Sequence, residues 1–252
     1  MMENQPLVSV ITPCYNMEKF VAETVNSVRN QTYSHWEMLI VSDASTDRTA
    51  DVLRSLAEQD ERVKITINST HSGIADARNQ AIQMAKGHYL AFLDADDLWH
   101  PDKLERQLQF MQEKQIGFSF SSYELVDETG KLLGKTVDAT EDMSYDSYLR
   151  NTIIGCSTVM VNTDIVGKVT VPRFRTSEDT ATWLDILKKG HTAYAISQPL
   201  VSYRIRRKSA SSNKLKASHD LWIVYRRHEK LPFFKTLHYF LCYAFNAIKK
   251  RL

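Results

Sequence analysis

Two carboxylates one residue apart, Asp94 and Asp96, follow a short apolar run at residues 89–93 (YLAFL), and Asp97 comes next. Just past a buried strand, such a pair can grip a hard divalent cation from one side, leaving positions open for water and phosphate oxygens. Mg2+ or Mn2+ held this way neutralises charge on a departing diphosphate. The same triplet also occurs in solvated loops, so its surroundings must decide its meaning. Two more polar clusters end apolar runs: residues 12–16 (TPCYN) and residues 42–47 (SDASTD). In the second, Asp43 can accept a hydrogen bond from a uracil imide, and in the first Tyr15 can stack on a base. Pro13, Asn16, Asp43 and Ser45 are equally turn formers. Glu178 and Asp179 precede a helical pattern carrying Trp183, Leu184 and Leu187. A carboxylate there is stabilised by the helix dipole and can take a proton from a hydroxyl. Helix capping accounts for the pair equally well.

These groups do chemistry only if a scaffold gathers them. Residues 7–12 (LVSVIT), 36–41 (WEMLIV), 63–67 and 89–93 read as short buried strands. Helical spacing links Phe20, Val21, Val25 and Val28. It returns in Val52, Leu53 and Leu56 behind a predicted N-cap at Asp47, and again from Ile74 to Ala85, stopped at Gly87. Strand and helix thus alternate, which predicts an α/β fold with a mostly parallel sheet. Ligands of such sheets bind beyond the carboxyl ends of the strands, and the clusters at 12–16, 42–47 and 94–97 all fall there. After Pro101 comes a helix with Leu104, Leu108 and Met111. Residues 118–126 form a strand that turns at 127–130 (DETG) into 131–137, so this half is mixed, with hairpins. A helix at 180–189 and a strand at 199–205 complete the predicted body. The boundary with a tail is set at the polar stretch 209–213 (SASSN).

The 252 residues are 43% hydrophobic and 25% charged, which excludes a disordered or fibrous chain. Cys14, Cys156 and Cys242 are scattered and form no CxxC pair. That argues against a disulfide framework or structural zinc and fits a reducing cytosol. Residues 1–9 show no signal-peptide pattern, and no run reaches the ~18 apolar residues of a membrane span. The net charge of +2 conceals an asymmetry: residues 201–252 hold thirteen Lys and Arg against two acids. Such a tail implies an anionic partner or a solvated helical face. Residues 233–248 (FFKTLHYFLCYAFNAI) form a helix with a narrow polar stripe of Lys235, His238, Cys242 and Asn246. It suits an interfacial helix on anionic lipid. Packing on the core or in a dimer interface fits as well. Its aromatics gather on one apolar helix instead of interleaving with arginine, which argues against nucleic acid.

Five ordered segments carry a resemblance: VSVITPCYN, WEMLIVSDASTD, GIADARNQAIQMAKGHYLAFLDADD, SEDTATWLDILKKG and YRIRRKSAS. Over residues 7–212 the chain resembles the family 2 glycosyltransferases, inverting enzymes of the GT-A fold. From Asn151 onward it looks most like bacterial surface-polysaccharide members of the teichuronic acid or capsule type. The resemblance implies a GT-A domain over 1–212, divided into a nucleotide-sugar-binding half (1–100) and an acceptor and catalytic half (101–212), with a basic, apolar helical tail (213–252). It implies a nucleotide-diphosphate donor, with UDP-sugar expected, and a saccharide or polyprenyl-linked acceptor. Asp43 would recognise uracil, with Tyr15 packed on the base and Thr12 and Pro13 in the same donor pocket. Arg78 would contact the nucleotide, Asp94 the ribose or sugar, and Asp96, with Asp94, the Mn2+ or Mg2+. Asp179 would be the catalytic base beside Glu178, and Arg204 with the 209–212 loop would close over the diphosphate. The family's second strand usually ends in Asp-Asp-Gly-Ser; here Ser42 and Ala44 replace the first and third of these, while Asp43 is retained. A cytoplasmic site, peripheral to the inner face of the plasma membrane, is expected.

Rival readings fit less well. A DxD phosphatase needs its nucleophilic Asp after the first strand, where this chain has Thr12-Pro13-Cys14. A Mg-dependent nucleotidyltransferase would more usually carry a Gly-rich phosphate loop there. A non-catalytic nucleotide-sugar-binding subunit would need neither Asp96 nor Asp179.

Overall fold

The computed structural model describes residues 5–206 and 214–249. Its first half alternates as the apolar periodicity requires: β1 (Val8–Cys14), α1 (Val21–Arg29), β2 (Trp36–Asp43), α2 (Thr49–Gln59), β3 (Val63–Asn68), α3 (Ile74–Met84) and β4 (Tyr89–Phe92). These four strands are parallel, in the order β3-β2-β1-β4. Every residue of β1 and β2 is buried, as expected of strands covered on both faces. Val10 and Ile11 show the alternation. Val10 joins Met38, Leu53 and Leu104 on one face, and Ile11 joins Leu39, Ala77 and Ala81 on the other. Gly87, in the turn from α3 to β4, is required by close approach: a Cβ there would lie 2.3 Å from the Leu7 carbonyl oxygen.

The second half contains β5 (Leu98–Trp99), α4 (Lys103–Lys114), β6 (Phe118–Val126), β7 (Leu132–Val137), α5 (Tyr145–Arg150), a 3-10 turn (Cys156–Thr158), β8 (Met160–Asn162), α6 (Thr163–Val166), α7 (Glu178–Leu187) and β9 (Tyr194–Arg204). The sheet continues without a break as β4-β8-β6-β9-β5, with β7 paired to β6 as the predicted hairpin. β8 runs antiparallel to both β4 and β6, whereas β9 runs parallel to β6. The last strand begins at Tyr194, five residues before its predicted start, and carries Pro199 inside it. Register shifts around Ser122, the residue opposite Pro199, absorb a position that cannot donate to the ladder. β8 and α5 went unpredicted, since three and six residues are too few to show a period.

The tail folds as α8 (Lys214–Ile223), a π-helical turn (Val224–His228) and α9 (Phe233–Lys249). Thr236, Tyr239 and Tyr243 of α9 face the body, which corresponds to the core-packing alternative for one side of that helix. No helix among the described residues is long and apolar enough to cross a membrane.

Candidate active site

β1 and β2 end side by side, with Cys14 opposite Ser42. The loops beyond them are laced together. Asn16 Oδ1 accepts the Thr46 N–H at 2.8 Å, the Met17 N–H reaches Thr49 Oγ1 at 2.7 Å, and the Glu18 N–H reaches Asp47 Oδ2 at 3.2 Å. Asp47 also accepts the Thr49 N–H at the start of α2, close to the capping role expected of it. Asn16 and Ala44 both adopt left-handed backbone, at φ 54° and 55°. Asn tolerates this. Ala44 does not, and it stands where the family pattern has Gly, so the substitution stores strain on the order of 1–2 kcal/mol.

Asp43, at the tip of β2, is 2% exposed. Its carboxylate accepts the Ser72 N–H at 2.9 Å, the Ser72 hydroxyl at 2.9 Å and the Gly73 N–H at 2.7 Å, with His71 Nδ1 2.9 Å away. Burial opposes its charge, but these donors outweigh burial and hold the carboxyl below its ordinary 3.8. Asp43 therefore also pins the loop that opens α3. Tyr15 is 42% exposed, and its ring lies 4.5 Å from that of His71. Tyr15, His71 and Asp43 thus share one corner at the ends of β1 and β2. Thr12 and Pro13 are buried in the strand behind it, and the Thr12 hydroxyl has no hydrogen-bond partner among the described residues.

The second corner lies at the end of β4. Arg78, on the buried face of α3, is 3% exposed. Its Nη2 donates to Asp94 Oδ1 at 2.6 Å and its Nη1 to Glu178 Oε1 at 2.8 Å. One guanidinium so joins the end of β4 to the first residue of α7. This places Arg78 beneath two carboxylates, at the end of the strand that the resemblance assigns to the donor. Trp183 holds α7 in place, packed edge-on against Phe92 (5.1 Å) and against Phe118 (5.5 Å). Ser157, in the 3-10 turn, accepts the Asp94 N–H at 3.1 Å and donates to Asp97 Oδ2 at 2.5 Å.

Arg204 is held against the same loop. Its Nε donates to the Asp96 carbonyl (2.7 Å), Nη1 to the Glu128 carbonyl (2.7 Å) and Nη2 to Glu23 Oε2 (2.6 Å), and its N–H reaches Asp97 Oδ1 (2.9 Å). With every guanidinium nitrogen engaged and 2% exposure, it clamps the Asp94–Asp97 loop from below instead of facing solvent. The arginine at the carboxylates is Arg206, whose Nε lies 2.5 Å from Asp96 Oδ2. In the sequence Arg206 enters only the basic count of residues 201–252 and the segment YRIRRKSAS; its spacing of two from Arg204 in an extended run is the available signal. His71, Ser157 and the buried Asp97 were likewise not assigned roles. The 209–212 loop lies outside the described residues.

Residues 9–164 match the family model described as Glycosyl transferase family 2. The chain belongs to that family. It is 49% identical to the "Putative teichuronic acid biosynthesis glycosyltransferase TuaG" of Bacillus subtilis, over 98% of both chains. It is 36% identical to the Escherichia coli "UDP-Glc:alpha-D-GlcNAc-diphosphoundecaprenol beta-1,3-glucosyltransferase WfgD", over 97% of this chain and 94% of that one. Its fold matches S. aureus TarS in complex with UDP-GlcNAc at a TM-score of 0.71 and 19% identity, covering 87% of this chain and 66% of that longer one. The mannosyltransferase PcManGT of Pyrobaculum calidifontis, solved with GDP-Man and Mn2+, matches at 0.69 and 20% identity, over 93% and 68%. The fold is GT-A, and the chain is a glycosyltransferase.

In this family 2 glycosyltransferase the second corner is crowded with negative charge. Burial, then the neighbouring Asp94, raises Asp96 above its ordinary value, with Arg206 opposing. Burial and the charges of Asp96 and Asp94 raise Asp97 well above. Burial raises Glu178 to about 7, against the pull of Arg78 and with a further push from Asp179. Asp179, half-buried, accepts the Thr180 N–H at 2.6 Å; burial raises it too, again opposed by Arg78. α7 has no side-chain cap, and Ser177 before it is left-handed at φ 69°. Glu178 is bound to Arg78, and Asp179 keeps part of its surface open. Asp94 and Asp96 supply hard oxygen donors that repel one another, and that donor chemistry fits Mg2+ or Mn2+.

Proposed function

We propose that this glycosyltransferase transfers a sugar with inversion from a UDP-sugar to a saccharide or lipid-linked acceptor in bacterial cell-surface polysaccharide synthesis, at the cytoplasmic face of the membrane. The observation that carries the reading is the Arg78 bridge, which sets Glu178 and Asp179 of α7 beside Asp94, just past β4. Uracil would enter the other corner, between Tyr15 and the Asp43 region. Asp179 takes the proton of the acceptor hydroxyl as that oxygen attacks the anomeric carbon. The bond from the anomeric carbon to the diphosphate oxygen breaks, UDP leaves with the electron pair, and the configuration inverts. Mg2+ or Mn2+, held by Asp94 and Asp96, would supply charge neutralisation at the diphosphate. Arg206 would turn from Asp96 to the departing phosphate, while Arg204 stays buried with each guanidinium nitrogen bonded to the protein. Arg78 keeps Asp94 and Glu178 in place by hydrogen bonds and so positions the neighbouring base.

The relatives' names support the donor and acceptor classes. WfgD is named for a UDP-sugar donor and an undecaprenol-linked acceptor, and TuaG for teichuronic acid. Calorimetric titration of UDP with and without Mn2+, in the wild-type chain and in Asp96→Ala, tests the donor site. Binding that strengthens with the metal and loses that gain in Asp96→Ala is expected. Metal-independent binding would remove Asp96 from the metal site. Binding of GDP but not UDP would reassign the base.

A further inference from the structure

The tail helix α9 has two opposite faces, and the fold uses chiefly one. On the inner face the Tyr239 hydroxyl donates to Asp146, Asn246 Nδ2 donates to the Arg150 carbonyl at 3.1 Å, and Thr236 is fully buried. Asp146 and Arg150 belong to α5, so α9 is seated on α5, which in turn packs on α7. On the outer face stand Phe233, Phe234, Leu237, Leu241 and Phe245, exposed by 53%, 82%, 37%, 59% and 69%. At 100° per residue these five lie within about 120° of the helix circumference, a continuous apolar stripe whose Phe233 meets the fold in an edge-on contact with Trp222 of α8 at 6.0 Å.

Charge indicates what covers it. Arg226, Arg227, Lys230 and Lys235 are all exposed around the start of α9. From Leu221 to Lys249 the one acid is Glu229, which is buried and already bonded by Lys188 Nζ at 3.0 Å and by the Tyr145 hydroxyl. Two copies meeting stripe to stripe would bring these cations together. An anionic headgroup layer would pair with them while the stripe enters the acyl boundary. At 17 residues α9 is about 25 Å long, enough to lie along a surface and too short to cross one comfortably.

We infer that α9 is a membrane-docking helix that lies flat on an anionic bilayer through Phe233, Phe234, Leu237, Leu241 and Phe245. This rests on the proposed lipid-linked acceptor, and it explains how a chain with no spanning helix among its described residues reaches one. Seated on α5, and through it on α7, the helix sets the distance of Asp179 from the lipid surface.

The test is co-sedimentation of the full chain with phosphatidylglycerol–phosphatidylcholine vesicles and with phosphatidylcholine alone. Wild-type protein should partition onto the anionic vesicles and lose most of that binding in high salt. The double variant Leu241→Glu, Phe245→Glu changes two exposed side chains and should weaken partition at least about tenfold with an unchanged melting temperature. Arg227→Gln, Lys230→Gln, Lys235→Gln should weaken binding to anionic vesicles only. Partition of the double variant equal to wild type overturns the inference. So does an absence of wild-type partition, or a wild-type dimer that the double variant converts to monomer, which would make a second copy the occupant. UDP affinity, measured alongside on each variant, should not change. Its absence in the wild type would strike the donor reading and leave the vesicle result standing.

Discussion

Two groups of acids occupy the same edge of the sheet, and their environments push them in opposite directions. At the end of β2, Asp43 is nearly sealed from water yet held below the ordinary carboxylate range, because two backbone N–H groups and a hydroxyl from residues 72 and 73 converge on it. At the end of β4 and the start of α7, Asp96, Asp97, Glu178 and Asp179 are all raised. Burial opposes the charge in both places; at Asp43 converging donors outweigh it, whereas in the second group burial and mutual repulsion prevail. Asp43 is a permanent anion that fastens a loop and can present a fixed acceptor. Among the described residues the second group is relieved only in part by Arg78 and Arg206, and so is disposed to take up a cation or a proton.

The sharpest way to break this contrast is Asp179→Asn. Sugar transfer should fall by on the order of 10³-fold while UDP affinity is unchanged, read by UDP release and calorimetry. Retention of near-wild-type turnover would remove the base from this group. Next in size is the pair of arginines. Arg204→Met strips partners from Glu23 and from the Asp96 and Glu128 carbonyls, and should cost about 3–5 kcal/mol, or roughly 10 °C in melting temperature. Arg206→Met should leave the melting temperature within ~2–4 °C yet reduce kcat, a split visible by calorimetry and initial rates.

Acidity supplies the third test. The base must be ionised to act, so activity should rise with pH along a limb above the ordinary range for Asp. Arg78→Met removes the charge that opposes the rise, so the limb should move to still higher pH. For stability the signs differ between the two groups. Glu178, raised from 4.5 to about 7, contributes stability that is complete below 4.5 and fades as pH climbs to about 7. Melting curves across that interval should therefore be flatter in Glu178→Gln. Asp43, being lowered, contributes stability above 3.8 that is lost as pH falls further. The smallest effect is expected beside Asp43: Ala44→Gly relieves a left-handed residue and should add about 0.5–1 kcal/mol after the greater freedom of the unfolded chain is counted.

Much of this was legible in the residues themselves. β1, β2, β4 and α3 are long enough to display their periods, and the polar clusters at 12–16, 42–47 and 94–97 mark where the strands stop. Asp43, Asp94, Asp96 and the Glu178–Asp179 pair stand out by residue type and place on an element, and the resemblance to the family supplies their expected roles, including the choice of Asp179. The arginines could not be assigned in this way. Arg78 and Arg204 are ordinary in sequence, and their duties depend on Glu178, 100 residues away from the first, and on Glu23, 181 away from the second. An arginine is defined by what accepts its five donors, and those acceptors are chosen when α7 and β9 dock.

The sequence by itself determined an α/β sheet with its acids at the strand ends, because hydrophobic period and turn chemistry are local properties. The tertiary structure alone decided that Arg206 meets the Asp96 carboxylate while Arg204 holds its backbone carbonyl. It also decided that β8 inserts between β4 and β6, and that α9 turns five apolar side chains outward. Each of these depends on which surfaces meet at long range, where burial removes water and makes one set of partners far better than any other.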